Sequence, residues 1–232
     1  MATAVPVERD AVAEAFPGDA EQVRLPGVTL VRTDGGCDLL ATGVGPAAAA
    51  ASTAAALTAA ALGGTPYGLV VCAGIGGGFQ PDAPLGSLVV SDTIAVADLG
   101  AETAEGFLPV TELGFGHVAH RSPSSLVGEA VRVTGARPGT VLTVSTVTGT
   151  ADRAAALRAR HPGALAEGME GFGVAEAAVA QGRPVLEVRA VSNPVGPRDR
   201  AAWRIGDALS ALTEGFGKLA PVLESWIHHD HQ

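Results

Sequence analysis

Short apolar runs rich in Val, Ile and Thr alternate with longer Ala-rich or amphipathic segments along nearly the whole chain. Apolar runs of about four to eight residues favour strands, whereas longer segments with helical periodicity favour helices. Their alternation predicts an α/β protein. We predict strands at 28–33, 37–45, 67–74, 86–100, 139–148 and 184–192, a short strand leading into Met169, and helices at 46–62, near 123–134, 151–160, 172–181 and near 201–227.

Local signals mark both ends of one predicted helix. Thr150 precedes the helix 151–160 as an N-cap residue, and Pro162 and Gly163 follow it, which is the expected order of start and stop signals. Neither an internal repeat nor a linker divides the sequence. We therefore expect one domain over residues 1–232.

Composition supports a single core and excludes several partners. The 232 residues are 47% hydrophobic and 17% charged, which is enough apolar surface for one compact domain. The net charge of −9 opposes binding to a phosphate backbone, so we expect no nucleic-acid partner. The Ala-rich segment 47–62 is too short to span a membrane, and no basic region precedes an apolar stretch at the start, so we expect neither a membrane protein nor a secretory signal.

Cysteine and histidine usage predicts the compartment and argues against a metal site. Cys37 and Cys72 both lie in apolar runs, which favours reduced core residues over a disulfide and indicates a cytoplasmic protein. The terminal HHDHQ (228–232) is predicted to be a solvated tail, because no acid or thiol nearby completes a metal site. We therefore expect no metal.

Unusual chemistry is concentrated in segments that follow predicted strands or open the chain. Ligands of open α/β sheets bind beyond the carboxyl ends of strands, so a binding site is expected at these segments. The glycine-rich one does not have GxGxxG spacing, and Pro81 and Pro84 follow it, so we predict no dinucleotide cofactor. The segments are TAVPVERD (3–10), CAGIGGGF (72–79), GMEG (168–171) and SNPVGPRDR (192–200).

Taken in order, these segments resemble the nucleoside phosphorylase and nucleosidase superfamily over nearly the whole chain. AGIGGG resembles its ribose and base loop, GMEGFGVAEAA its Met-Glu ribose clamp, and VRAVSN the strand that delivers a purine-binding residue. The resemblance implies a single-domain, three-layer αβα fold with a central mixed twisted sheet, cleavage of a nucleoside N-glycosidic bond without a cofactor, and a homo-oligomer, with a dimer whose neighbour closes the 5′ pocket as the expected form. Within the superfamily, VRAVSNPVGPRDR and ADLGAE most resemble one nucleosidase whose substrate carries an aryl carboxylate beyond its 5′ carbon.

Glu170 and Met169 are the candidate ribose-binding residues. Cleavage of a purine N-glycoside builds positive charge on the ribose and negative charge on the base, so a catalyst must assist both ends and activate a water. An unpaired carboxylate is expensive to bury, and the ribose 2′- and 3′-hydroxyls would supply the partner of Glu170 while Met169 packs against the sugar. The alternative is an acid that the helix dipole favours at a helix N-terminus.

Asn193 is the candidate purine-binding residue. By position it resembles the aspartate that protonates adenine N7 in adenosine-type nucleosidases of the superfamily. An amide cannot deliver a proton, but its N–H donors could reach N7 and O6 of a 6-oxopurine, and hypoxanthine meets that requirement. Asparagine also pairs with adenine through N6 and N7, and Asn-Pro is a turn signal, so both alternatives stay open.

Glu8 resembles the superfamily's acid that positions the attacking water. Phosphorylases of the superfamily carry a Gly-Asp-Pro-x-Arg phosphate loop at this point, and TAVPVERD lacks it, which favours water over phosphate as the nucleophile. The alternative is a solvent-facing glutamate in the first turn of a helix. Only Met1 to Val5 precede Glu8, so we expect either a shortened first strand or a native start upstream of Met1.

The remaining candidates come from the resemblance, and they surround the substrate at the sugar, the base and the 5′ substituent. A surface salt bridge with Asp199 is the alternative for the arginines. Three other functions stay open: a purine nucleoside phosphorylase, an adenosine-type nucleosidase, and a non-catalytic nucleoside-binding module. The candidates are Ile75, Gly76 and Gly77 near the sugar and the water, Val147 and Thr148 beside the base, and Arg198 or Arg200 as counter-ion of the carboxylate.

Overall fold

The computed structural model describes residues 1–16, 18–34 and 36–229. His228 and His229 are described without their side chains. The tail HHDHQ, to which no metal role was assigned, therefore lies outside the described side chains. The strands are β1 (Ala2–Thr3), β2 (Ala20–Leu25), β3 (Val28–Thr33), β4 (Asp38–Ala41), β5 (Val70–Gly78), β6 (Leu88–Val96), β7 (Gly100–Thr103), β8 (Gly106–Pro109), β9 (Ala119–Arg121), β10 (Arg137–Thr143), β11 (Ala164–Gly168) and β12 (Val185–Pro194). The helices are α1 (Pro6–Ala13), α2 (Pro46–Leu62), α3 (Ser124–Thr134), α4 (Ala151–Arg160), α5 (Gly171–Ala180) and α6 (Ile205–His229), with a 3₁₀ turn at Arg200–Ala202.

One mixed sheet organises the molecule. Its strand order is β11-β10-β6-β12-β5-β1-β4-β3-β2, with β9 added at β6, while β7 and β8 form a separate hairpin. The neighbours β12, β5, β1 and β4 run parallel, so their carboxyl ends lie along the same edge. The end of β11 also pairs antiparallel with β5, which brings Glu167 opposite Gly77. The predicted mixed central sheet is confirmed.

Helices cover both faces of this sheet. On one face, Val12 of α1, Leu126 of α3 and Phe216 of α6 share a cluster with buried strand residues. On the other face, Leu57 of α2 and Val174 of α5 pack with strand residues in a second cluster. This arrangement confirms the predicted three-layer αβα fold.

The predicted helices agree closely with the structure because their signals are local. The helix predicted at 46–62 is α2, and Thr150 caps α4 by accepting a hydrogen bond from the Arg153 amide. The helix predicted to begin near 201 begins at Ile205, because Asp199 accepts a hydrogen bond from the Ala201 amide and holds a 3₁₀ turn first. No helix within the described residues is long and apolar enough to cross a membrane.

Several strand predictions were wrong in extent. The strand predicted at 37–45 ends at Ala41, and the one at 139–148 ends at Thr143, because the chain leaves the sheet there for loops. In contrast, β5 continues through its glycines to Gly78, four residues beyond its predicted end at 74. Cys72 is a buried free thiol within it, whereas Cys37 is half-buried and precedes β4.

Candidate functional site

The four segments with unusual chemistry converge at one edge of the sheet. TAVPVERD follows β1, CAGIGGGF forms the end of β5, and SNPVGPRDR begins within β12, and these strands are neighbours. GMEG follows β11, whose antiparallel pairing with β5 directs the chain back along the glycine-rich segment. The four segments therefore form a cluster of side chains at the carboxyl ends of the strands, where we expect a site.

Glu8 is held by backbone amides rather than exposed to solvent. It occupies the first turn of α1, where its Oε2 accepts hydrogen bonds from the amides of Ala4 (3.0 Å) and Val5 (3.3 Å). Its Oε1 accepts one from the amide of Ile75 at 2.9 Å, and only 4% of the residue is exposed. The alternative of a solvent-facing glutamate is therefore wrong. Because a carboxylate offers about four lone-pair directions, one direction on Oε1 remains for another donor.

Gly74 allows this carboxylate to lie against β5. A Cβ atom at this position would be 2.8 Å from Oε1 of Glu8 and 2.8 Å from Nη1 of Arg189. Real Cβ atoms do not approach other atoms so closely, so any larger residue would displace one of the two charged groups. Glu8 and Arg189 thus lie side by side beneath the edge of the sheet.

Glu170 is also buried, with 4% of the residue exposed, and it stands immediately before α5. Its position matches the alternative of an acid at a helix N-terminus, but its side chain caps no amide of that helix. Oε1 accepts a hydrogen bond from the Gly45 amide at 3.2 Å, and Oε2 forms an ion pair with Nη2 of Arg189 at 3.2 Å. The expectation that only a ligand supplies its partner is therefore wrong. Met169, next to it, is half-buried.

Arg189 is the residue that sequence reasoning missed. It lies in β12, is 1% exposed, and also donates from Nε to Glu187 (2.8 Å) and from Nη1 to the Ile75 carbonyl (3.2 Å). Burial alone would lower its pKa, but the surrounding Cys72, Glu187 and Glu170 raise it well above the ordinary value. The signal was present in the sequence. Glu187 and Arg189 stand two residues apart in an otherwise apolar strand, so they share a face and form a pair.

Asn193 lies at the end of β12, beside Gly77 of β5. Its Nδ2 donates to the Pro194 carbonyl at 3.0 Å, and its Oδ1 accepts from the Ser192 hydroxyl at 2.9 Å. Since a carbonyl cannot pair with another carbonyl oxygen, the Pro194 contact fixes which end of the amide is the donor. One N–H is therefore already used, and the expectation that both are available for a base is wrong. The second N–H remains.

Thr148 is held by a second missed residue, Glu167. The Thr148 amide donates to Oε1 of Glu167 at 2.9 Å, and its hydroxyl donates to Oε2. Burial raises the pKa of Glu167, and the bonds from Thr148 oppose that rise. Because Glu167 lies opposite Gly77, this pair places the candidate segment of Val147 and Thr148 beside the glycine-rich loop.

The remaining candidates differ in their surroundings. Ile75 and Gly76 are half-buried at the cluster, and Gly77 is buried. Arg198 is exposed and lies over the ring of Trp203 at 5.5 Å, where Arg200 also lies at 5.8 Å. Among the described residues, no group of three metal-ligating side chains occurs.

A cavity also lies elsewhere in the part of the chain that the structure describes. A cavity of about 610 Å³ is bounded by Met1, Asp38 and Tyr67, at the amino ends of β1, β4 and β5. The polar cluster lies at the opposite end of the same strands. Because ligands of open α/β sheets bind at the carboxyl ends, the cluster is the better candidate site despite the size of the cavity.

Comparison with known proteins identifies the family of the chain. A model of the phosphorylase superfamily matches residues 23–224. The chain belongs to the phosphorylase superfamily. It is 74% identical over 230 residues to futalosine hydrolase of Streptomyces coelicolor, covering 99% of this chain and 98% of that protein. It is 46% identical over 222 residues to futalosine hydrolase of Acidothermus cellulolyticus, covering 94% of this chain and 88% of that protein.

Two solved structures have the same fold as this chain. A mutant of futalosine hydrolase from Helicobacter pylori strain 26695 superposes with a TM-score of 0.80 at 17% identity, over 95% of this chain and 97% of that one. A 5′-methylthioadenosine/S-adenosylhomocysteine nucleosidase from Colwellia psychrerythraea, in complex with adenine, gives 0.76 at 22% identity, over 94% of this chain and 90% of that one. The resemblance inferred from the sequence is confirmed, both to the superfamily and, within it, to futalosine hydrolase.

Proposed function

We propose that this superfamily member is an N-glycosyl hydrolase that cleaves futalosine, releasing hypoxanthine and dehypoxanthine futalosine in menaquinone biosynthesis by the futalosine pathway. The observation that carries the proposal is the 74% identity with a futalosine hydrolase over the full length of both chains. The residues at the candidate site are consistent with the chemistry that this reaction needs.

Glu170 and Met169 are assigned to the ribose. The Glu170 carboxylate accepts from the amides of Gly45 and Met169 and from Arg189, which leaves one lone-pair direction, on Oε1, for a ribose hydroxyl. A carboxylate that accepts from a ribose hydroxyl raises electron density on the sugar, where positive charge develops as the bond to the base breaks. Met169 packs against the sugar from the adjacent position.

Glu8 is assigned to the attacking water. Its remaining lone pair on Oε1 accepts a water proton, and the water oxygen bonds to the ribose C1′ as the C1′–N bond breaks. The pair of electrons from that bond leaves with the base, which takes up a proton from solvent. Ile75, Gly76 and Gly77 at the end of β5 are assigned to the surroundings of the sugar and the water. A Cβ atom would lie 2.6 Å from the Glu167 carbonyl oxygen at Gly76 and 2.9 Å from Val195 at Gly77, so the two glycines allow the neighbouring segments to pack against β5.

Asn193 is assigned to the leaving base. One N–H donates to Pro194, so one N–H remains, and Oδ1, which accepts from Ser192, keeps its second lone pair. The remaining N–H suits N7 or O6 of hypoxanthine, whose departing anion spreads charge onto O6. Pairing with adenine through N6 and N7 would use that N–H and the second lone pair, so the choice of hypoxanthine rests on the identity with futalosine hydrolases. Val147 and Thr148 are assigned to the flank of the base.

The decisive experiment is incubation of the purified protein with futalosine, with and without phosphate, followed by chromatographic detection of hypoxanthine. We expect release that does not depend on phosphate. Turnover only with phosphate would identify a phosphorylase, and binding without release would identify a binding module. Faster cleavage of aminodeoxyfutalosine, the 6-amino counterpart, or of methylthioadenosine would identify an adenosine-type nucleosidase.

Three further assignments belong to the same proposal. We assign a homo-oligomer, at least a dimer, on the resemblance to the nucleoside phosphorylase and nucleosidase superfamily. Sedimentation velocity measures the subunit number. We assign a cytoplasmic location on the two free cysteines, to be checked by cell fractionation.

We assign the substrate carboxylate to Arg198, and a raised KM for futalosine in Arg198→Ala, with an unchanged KM for inosine, would support that assignment.

A further inference from the structure

Glu187 is a buried carboxylate that has no assigned role in the proposed reaction. It lies in β12 and has no exposed surface. Its Oε1 accepts a hydrogen bond from Nε of Arg189 at 2.8 Å. Its Oε2 is buried and has no hydrogen-bond partner among the described residues. Burying a carboxylate with an unsatisfied oxygen is costly, so its presence calls for a physical reason.

The surroundings of Glu187 are shaped to admit it. A Cβ atom at Gly171 would lie 2.0 Å from Oε2 of Glu187, so the carboxylate occupies the space that a side chain at position 171 would fill. Gly168 makes room in the same way for the guanidinium, because a Cβ there would lie 2.8 Å from Cζ of Arg189. The two glycines flank Met169 and Glu170, so the ribose segment is built around the Glu187–Arg189 pair.

The planar guanidinium of Arg189 connects Glu187 to Glu170. A guanidinium is planar, so a hydrogen bond that holds Nε also sets the directions of Nη1 and Nη2. In this chain Nη2 donates to Glu170 at 3.2 Å and Nη1 donates to the Ile75 carbonyl at 3.2 Å. Fixing the plane of Arg189 therefore fixes the carboxylate assigned to ribose.

We propose that Glu187 is a positioning residue, which holds the Arg189 plane and thereby holds the Glu170 carboxylate in the orientation that binds a ribose hydroxyl. This inference rests on the proposed function. It requires an acceptor at Oε1 and makes no use of Oε2, which is the oxygen without a partner.

Two variants of nearly equal length separate this role from simple packing. Glu187→Gln keeps an oxygen that accepts from Nε of Arg189. Its amide nitrogen replaces Oε2, which has no hydrogen-bond partner among the described residues, so no hydrogen bond is lost. Glu187→Met removes the acceptor. Ser122→Ala is the matched control, because it deletes the buried hydrogen bond to Ser91, whose hydroxyl still accepts from the Glu187 backbone amide, and leaves the contacts of the Glu187 carboxylate in place.

The measured quantity is the ratio of kcat/KM for futalosine to kcat/KM for its 2′-deoxy analogue. We expect this ratio to fall about tenfold or more in Glu187→Met, because Arg189 loses the acceptor that holds its plane. A tenfold fall corresponds to about 1.4 kcal/mol of ribose discrimination. The ratio should stay within about threefold of wild type in Glu187→Gln, as it should in the control. Arg189→Lys, which keeps the charge but not the plane, should lower the ratio as Glu187→Met does.

An unchanged ratio in a folded Glu187→Met variant would overturn the proposal, as would an equal fall in Ser122→Ala. If Glu187→Met does not fold, a wild-type ratio in Arg189→Lys overturns it instead. Failure of the wild-type protein to release hypoxanthine from futalosine would refute the proposed function alone. The positioning role would then be measured by calorimetry, as the ratio of inosine to 2′-deoxyinosine affinity in the same variants.

Discussion

Replacing Glu8 by Gln should harm both turnover and stability, and the structure sets the size of each effect. The carboxylate accepts three backbone hydrogen bonds, two at Oε2 and one at Oε1. A glutamine can keep its oxygen toward the amides of Ala4 and Val5, but its NH₂ group then faces the Ile75 amide at a distance of 2.9 Å in the parent. Two donors face each other there, so one hydrogen bond is lost and one buried donor is left unsatisfied.

The expected loss of stability is about 1–3 kcal/mol, which is the usual cost of an unsatisfied buried group. For a domain of this size each kcal/mol lowers the melting temperature by about 2–4 °C, so the shift should be about 2–12 °C. Turnover should fall about 10²-fold or more, because the amide cannot accept a proton from water. Nucleoside binding should persist, since the residues assigned to ribose and base are unchanged.

Hypoxanthine release measured by chromatography and melting measured by fluorimetry test both effects on the same samples. Glu14→Gln is the control, because it removes one negative charge from an exposed position near the end of the same helix. A Glu8→Gln enzyme that turns over at the wild-type rate would remove Glu8 from the mechanism. An unchanged melting temperature would show that Glu8 does not hold the loop at Ile75.

Three further outcomes follow from the site. Glu170→Gln should weaken futalosine much more than its 2′-deoxy analogue, and equal losses in kcat/KM would leave Glu170 with a structural role only. Asn193→Ala should raise the barrier for futalosine by about 1–3 kcal/mol, and Asn193→Asp should raise the kcat/KM ratio of aminodeoxyfutalosine to futalosine, whereas an unchanged ratio would mean that the base is recognised elsewhere. Because burial raises the pKa of Glu167 above its ordinary 4.5, the folded state binds its proton more tightly, and the stability that this proton contributes is lost as the pH rises above about 4.5. The unfolding free energy of Glu167→Gln minus that of wild type should therefore increase as the pH rises above about 4.5 in denaturant titrations, and a difference independent of pH would contradict that shift.

The sequence predicts elements whose boundaries have local signals. It does not predict which distant residues come into contact. Helix α2 was predicted with its observed bounds because its boundary signals are local: Pro46 is its first residue and Gly63 follows its last residue. Strand β2 was not predicted because AEQVRL is largely exposed at the sheet edge and has no apolar run.

The site shows the same division. Glu8, Glu170 and Asn193 could be placed near one another because each follows a strand, and the edge of the sheet collects such ends. The ion pair of Glu170 with Arg189 could not be predicted, since it joins residues 19 positions apart across different elements. The contact of Asn193 with Pro194 depends on local backbone geometry that residue identities alone do not specify.

Strand β1 has two residues and lies in the middle of the sheet, where it is the link between β5 and β4. Its register comprises a single pair with β5 and two pairs with β4. We therefore expect the amides of β2, β3 and β4 to belong to a unit that separates from the rest of the sheet at lower free energy than global unfolding. Hydrogen–deuterium exchange should be faster for these amides than for β5 and β12, and Gly45, which follows β4 and contacts Glu170, should exchange with the unit that opens.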